Sequence, residues 1–190
     1  MEVVTISRQT GSLGYKLADQ LSQRLEYRLV GRELINQAAL RAGVPEVALA
    51  MIDELGLLGL CPSPQKCQAY VAAVKQVMFE LAQSGNVVIV GRGGQVVLAD
   101  NPRCLHIRVV APLALRVERV AQEKGVNLDA AHAQIEASDR RRLNYLQRIY
   151  KIRADDPAHY HLTINTGMMS LEDAVDLIVK ALKKSDLSGN

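Results

Sequence analysis

Apolar runs bounded by turn residues alternate with helix-period stretches along this chain. That alternation predicts βαβ units and a mainly parallel sheet. Strands are expected at 2–7, 27–30, 86–91, 104–110 and 160–165. In Asn86-Val87-Val88-Ile89-Val90-Gly91 the apolar residues fall on both faces, as in a strand covered by helices on each side. Leu105-His106-Ile107-Arg108-Val109-Val110 is a second strand candidate, stopped by Ala111-Pro112. Tyr160 to Asn165 alternates more, which suits a position nearer the sheet edge. Helical patterns fill 14–25, 32–42, 45–55, 65–84, 113–123, 128–148 and 170–183. Ser170-Leu171-Glu172-Asp173 has the form of a helix start, a serine cap with acidic residues in the first turn. The stretch 31–85 offers helices without a strand and is expected to cover one end of the sheet, with Gly56 to Pro64 as its loop.

The 190 residues suffice for one domain with a substantial core. With one Phe, six Tyr and no Trp, that core must be filled by Leu, Val, Ile and Ala. A net charge of +3 does not by itself call for nucleic acid, and aromatic stacking residues are scarce. Cys61, Cys67 and Cys104 fit no zinc spacing and read as thiols of a reducing cytosol. The first residues lack the basic, apolar leader of a signal peptide, and no run approaches the ~20 apolar residues of a membrane span. A cytoplasmic location is therefore expected.

The first strand runs into Ser7-Arg8-Gln9-Thr10-Gly11-Ser12-Leu13-Gly14 and then into the helical pattern Leu17, Ala18, Leu21, Leu25. Strand, glycine-bearing turn and helix together aim unpaired helix-start amides at a phosphate. Thr10 and Ser12 add hydroxyl donors, and the same geometry also serves as an ordinary tight turn. The formula G-x-x-x-x-G-K-[ST] is not met. With Gly11 in the middle glycine slot, Arg8 takes the first glycine position and Leu13 the later one. Gly14 replaces the lysine and Tyr15 the metal-binding hydroxyl. Lys16 lies two residues further on, turned ~200° around the helix from the lysine slot. Arg8 is the candidate for the missing charge.

Gly91-Arg92-Gly93-Gly94 follows the best strand, where parallel sheets gather ligands, and Arg92 can fork onto an anion. Asp139-Arg140-Arg141-Arg142 is followed by Arg148, Lys151 and Arg153. Residues 139, 142 and 146 share one helical face, whereas Arg140 and Arg141 point elsewhere. Such a run suits a segment closing over a polyphosphate, or a solvated basic helix. Asp155-Asp156-Pro157 reads as a turn rather than a metal site. His106, His132, His159 and His161 form no ligand spacing.

Ile6-Ser7-Arg8 with Gly11 to Gly14, Gly91-Arg92, Asp139 to Arg142 with Tyr145, and Asp156 to Thr166 together resemble the cytidylate-kinase-like family of P-loop nucleoside monophosphate kinase-fold proteins. The resemblance spans about Val3 to Lys180. It implies an α/β three-layer fold with a five-stranded, mainly parallel sheet flanked by helices. Residues 1–190 then form one domain, with a helical substrate-binding region at 31–85 and a lid-like basic segment at 127–159. It further implies ATP as co-substrate with Mg2+, phosphoryl transfer to a nucleoside monophosphate such as CMP, and donor phosphates held by Arg8, Thr10, Gly11, Ser12, Leu13, Gly14, Tyr15 and Lys16. Arg92 and Arg32 would hold the acceptor, and Arg140, Arg141, Arg142 and Arg148 would act catalytically. Cytidylate kinases carry an acidic residue where Gly93 stands, a glycine for Leu13, and commonly an aspartate for Asn165. The alternative is a nucleotide-binding module without turnover that works through a protein partner. A homodimer is compatible with either reading; a membrane or nucleic-acid partner is not expected.

Overall fold

Strands that are apolar on both faces can only sit between two layers of helices, and that arrangement organises this chain. The computed structural model describes residues 3–31, 40–41 and 64–185. In order, the elements are β1 (Val3–Arg8), α1 (Gly14–Leu25), β2 (Arg28–Val30), α2 (Pro64–Ser84), β3 (Val87–Val90) and α3 (Gly94–Val97). There follow β4 (Cys104–Val110), α4 (Leu113–Lys124), α5 (Leu128–Tyr150), a 3-10 turn (Pro157–His159), β5 (Leu162–Asn165) and α6 (Leu171–Ser185). The helices expected at 32–42 and 45–55 lie outside the described residues, apart from Leu40 and Arg41, which are helical.

The sheet has five strands in the order β2-β3-β1-β4-β5, every neighbouring pair parallel. Val4, Ile6, Val88, Ile107 and Ile164 face α1 and α6, meeting Leu17, Leu21, Ala174 and Ile178. Val3, Val87 and Ile89 face the other way, onto Tyr70, Val74, Val77 and Met78 of α2. A smaller cluster, Val117, Val120, Ala131 and Ile135, joins α4 to α5. β5 occupies an edge, as its weaker apolar pattern implied.

Two boundaries matter for the site. β1 runs one residue further than expected, so Arg8 pairs with Val109 as the last strand residue instead of belonging to the loop. α3 is a four-residue helix, too short to leave a readable period. Ser170 does cap α6: its Oγ accepts from the Asp173 amide at 3.1 Å and donates to the Asp173 carboxylate at 2.6 Å. No helix among the described residues is long and apolar enough to cross a membrane.

Candidate functional site

β1 is the switch point of the sheet, with β3 hydrogen-bonded on one side and β4 on the other. The chain leaves β1 toward β2 on one side and leaves β4 toward β5 on the other, which opens a crevice above the carboxyl end of β1. The loop leaving β1 is pinned there. The Gln9 amide donates to Val109 O at 3.1 Å, and its side-chain Oε1 accepts from the Ala111 amide at 3.2 Å. Ser12 is fully buried, and its hydroxyl donates to Gln9 O at 2.8 Å. Gly11 has a φ of +77°, and a Cβ there would stand 2.7 Å from the Arg116 carbonyl. Leu13 takes a left-handed conformation, φ 60°, without a side-chain cap, and α1 starts at Gly14 with no acidic residue in its first turn. The opening amides of α1 cannot be reached by intrahelical carbonyls and, with the helix dipole, favour an anion.

Above this loop lies a cavity of about 360 Å³ bordered by Arg8, Gln9, Thr10, Gly11, Leu13, Gly14, Tyr15, Lys16, Arg119, Glu123 and Arg142. Lys16 borders it together with Tyr15, because both stand in the first turn of a helix whose start faces the opening. The ~200° separation therefore does not carry Lys16 out of the cavity.

Two arginines of α4 brace the loop, and sequence reading missed both. Arg116 is 6% exposed; it donates to Ala111 O at 3.1 Å and Thr10 O at 3.2 Å, and pairs with Asp139 at 2.7 Å. Arg119 donates to Thr166 Oγ1 and O at 3.0 and 2.9 Å and to Gly11 O at 3.4 Å, while Thr166 donates to Ser12 O at 2.9 Å. From α5, Asp139 accepts from the Thr10 amide at 3.3 Å, and Arg142 donates to the Thr10 hydroxyl at 2.7 Å. The Thr10 hydroxyl in turn donates to Ser138 Oγ at 2.8 Å. The basic helix is thus laced onto the loop from above.

A second cavity, about 190 Å³, opens beside the first. Its walls include Ser7, Arg8, Gln9, Arg92, Gln95, Arg108, Asp139, Arg142, Tyr145, Leu146, Ala154 and Asp155. Arg92 is 2% exposed, has a φ of 58°, and lies 5.9 Å from the centre of the Tyr145 ring. Its carbonyl accepts from the Tyr150 hydroxyl at 3.0 Å. Arg108 stacks over Tyr160 at 5.5 Å and donates to Ala154 O. Arg8, Gln9 and Arg142 border both cavities.

Of the basic run, Arg142 alone reaches these cavities. Arg140, Arg141 and Arg148 are exposed and border neither, and Arg32 lies outside the described residues. Asp139, Arg142 and Leu146 share the inward helix face that their spacing defined. The Arg116 and Arg119 pair does have a sequence signal: an i, i+3 spacing directly after the carboxyl end of β4.

Asp156 caps the 3-10 turn through the Ala158 amide at 2.9 Å, so the Asp155-Asp156-Pro157 segment is the turn it was read to be. His106 and His161 stack at 5.1 Å, and burial, with His161 second, holds the His106 imidazole down at about 4. Among the described residues no group of three His, Cys, Asp or Glu side chains could hold a metal. Tyr15, in the slot of the usual metal-binding hydroxyl, is 57% exposed.

The profile of the cytidylate kinase-like family matches residues 3–168. A cytidylate kinase from Thermococcus sibiricus is 31% identical over 189 residues, covering 94% of this chain and 86% of that protein. A uronate isomerase from Corynebacterium glutamicum is 39% identical over 99 residues, which cover 52% of this chain and 19% of that protein. Matches to three other archaeal cytidylate kinases span about three fifths of their lengths. Among solved structures, an uncharacterized protein from Eubacterium ventriosum superposes with a TM-score of 0.76 at 22% identity, covering 96% of this chain and 99% of the other. A shikimate kinase from Bacteroides thetaiotaomicron gives 0.56 at 11% identity over 96% and 98%. The fold is the P-loop kinase fold, a parallel sheet flanked by helices.

Proposed function

The chain belongs to the cytidylate kinase-like family, and from that membership we propose that it transfers the ATP γ-phosphoryl group to a nucleoside monophosphate, CMP or a similar small phosphate-bearing acceptor. The observation that carries this reading is the shared wall. A loop cavity suited to a polyphosphate and an arginine-lined cavity suited to a phosphate meet at Arg8, Gln9 and Arg142. A phosphoryl group passing between them never leaves the reach of two guanidinium groups.

In this reading the opening amides of α1 and the loop around Gly11 hold the donor phosphates, and Lys16 and Arg119 line the same space. Arg92 orients the acceptor phosphate, its backbone tied to α5 through Tyr150. Residues 127–159 act as the lid and 31–85 as the acceptor cover, with Arg32 among its acceptor contacts. Arg142 acts from the inner face of the lid, while Arg140, Arg141 and Arg148 add charge from its outer faces. A phosphate acceptor is already ionised at neutral pH, so no general base is needed, and positioning in line can lower the barrier by several kcal/mol. Magnesium is the family's usual companion of ATP and serves to neutralise phosphate charge. Tyr15 stands where a serine or threonine hydroxyl would usually hold it, so an ion here would depend chiefly on phosphate oxygens and water.

The second reading, a nucleotide-binding module without turnover, is favoured by one observation: Gly14 and Tyr15 stand in the lysine and hydroxyl slots. A coupled assay of the purified protein with ATP and a panel of nucleoside monophosphates separates the two. Transfer to at least one acceptor, reduced ~100-fold in Arg142→Ala and, with ATP affinity retained, in Arg92→Ala, supports the enzyme. ATP binding by calorimetry with no transfer to any acceptor refutes it in favour of the module.

A further inference from the structure

Gly14 opens α1, a position where glycine is a poor helix residue. Its φ lies outside the left-handed range, so backbone conformation does not demand glycine there. Space does. A Cβ on residue 14 would stand 2.5 Å from Arg8 Cβ, 3.0 Å from Arg8 Cγ and 3.4 Å from Val109 Cβ. The first of these distances is closer than two carbon atoms approach, and Arg8 Cβ belongs to the last residue of β1, which the ladder with Val109 holds in place. The Arg8 side chain therefore leaves its strand directly across the start of α1, through the space a residue-14 side chain would occupy.

These two positions are also among the four at which the loop departs from the phosphate-loop formula, beside Leu13 and Tyr15. Arg8 stands in the first glycine slot and Gly14 in the lysine slot. In the formula residue 8 is bare and residue 14 carries the cation; here residue 14 is bare and residue 8 carries it. We infer that the two departures are one event, in which the phosphate-binding cation has moved from position 14 on the helix to Arg8 on the strand, each substitution requiring the other. Arg8 borders both cavities, the path a phosphoryl group would take from donor to acceptor. An arginine at this point brings a planar fork that can bond two phosphate oxygens at once, where a lysine brings a single point charge. The missing lysine is then no sign of a defunct loop.

This inference rests on the proposed role of the loop as the donor-phosphate site, and it is tested by exchanging the two residues. ATP affinity by calorimetry and transfer to CMP and other nucleoside monophosphates are measured in the full chain for the wild type, Arg8→Ala, Gly14→Lys and the double variant Arg8→Gly/Gly14→Lys. The expected result is that Arg8→Ala weakens ATP binding at least ~10-fold. Gly14→Lys alone binds no better, because its side chain meets Arg8. The double variant returns to within ~3-fold of the wild type, a tenfold change being about 1.4 kcal/mol. Thermal melting checks the steric half independently of ligand: Gly14→Ala lowers the midpoint in the wild-type background and leaves it unchanged in Arg8→Gly.

Unaltered ATP affinity in Arg8→Ala overturns the charge transfer from position 14 to 8. A midpoint equally lowered by Gly14→Ala in both backgrounds overturns the mutual requirement. Should the wild type bind ATP without passing phosphate to any acceptor, the enzyme reading fails, while the calorimetric comparison of Arg8→Ala still decides this one. Absence of ATP binding in the wild type removes both.

Discussion

Replacing Asp139 by alanine should loosen α5 from the loop after β1 by an amount the geometry sets. The Asp139 carboxylate meets Arg116 at 2.7 Å and takes the Thr10 amide at 3.3 Å. Removing it leaves a guanidinium that is only 6% exposed without its counter-charge. Breaking a fully buried pair in this way costs about 3–5 kcal/mol. Two features lower the figure here: the Asp139 side chain is 24% exposed, and Arg116 keeps its bonds to Ala111 O and Thr10 O. A loss of about 2–3 kcal/mol is expected, which for a chain of this size corresponds to about 5–10 °C in the melting midpoint.

The assay is thermal and urea unfolding of Asp139→Ala, Arg116→Met and the double variant. If the pair is what holds helix and loop together, the double variant loses less than the sum of the singles, with a coupling of about 1.5 kcal/mol or more. Asp139→Asn keeps an acceptor for the Thr10 amide and should lose about half as much as alanine. Because the pair is largely shielded, its contribution should persist at 0.5 M salt, well beyond the ionic strength that screens exposed charges. A midpoint for Asp139→Ala within about 2 °C of the wild type, or strictly additive losses, would refute the reasoning.

Two further outcomes follow from the same contacts. Gly93 has a φ of +74°, and its Cβ would stand 2.4 Å from the Tyr150 ring, so Gly93→Ala should cost about 1–2 kcal/mol from backbone strain alone and displace Tyr150 from the Arg92 carbonyl. Urea unfolding reads the first effect, and Tyr150→Phe, losing about 1 kcal/mol, isolates the second. His106 is buried and held near 4, below its ordinary value of 6.5, so the unfolded chain takes up a proton between those values that the folded chain refuses. Stability is then complete above pH 6.5 and falls as the pH is lowered towards 4, by roughly 2 kcal/mol once solvent screening is allowed for. Urea midpoints measured across that range should show the slope in the wild type and a flatter one in His106→Asn; equal slopes would count against it.

The sheet was legible because its central strands carry long apolar runs bounded by turn residues, and in β3 both faces are apolar. Val87 to Val90 and Leu105 to Val110 could be placed to within a residue, and the strand at the edge betrayed itself by alternation. The loop after β1 was legible as a phosphate-loop relative through Gly11 and the helix that follows. Arg116 and Arg119 were not, because arginines in an amphipathic helix look like its solvated face, and only the fold turns that face towards the loop. The basic run was legible only in part. Four arginines suggested a shared role, whereas helix geometry sends Arg142 inward and leaves Arg140, Arg141 and Arg148 in solvent. Spacing along a helix predicted which residue would face in; spacing cannot say what that face would meet.

Charge tells the same story at the level of the whole molecule. A net charge of +3 looks unremarkable when spread over 190 residues. The two cavities, however, are bordered by six cations, Arg8, Lys16, Arg92, Arg108, Arg119 and Arg142, against three carboxylates, Glu123, Asp139 and Asp155. Their local excess of three equals the formal net charge of the entire chain, so the charges of all its other residues sum to zero. Clefts lined by one sign of charge concentrate the opposite sign. Positive charge concentrated around two adjoining cavities favours anions there, as the proposed transfer between two phosphate-bearing ligands requires. Under the proposed function a donor phosphate chain would occupy the cavity at the loop after β1 and an acceptor phosphate the cavity beside Arg92, so that both concentrations of charge have a ligand.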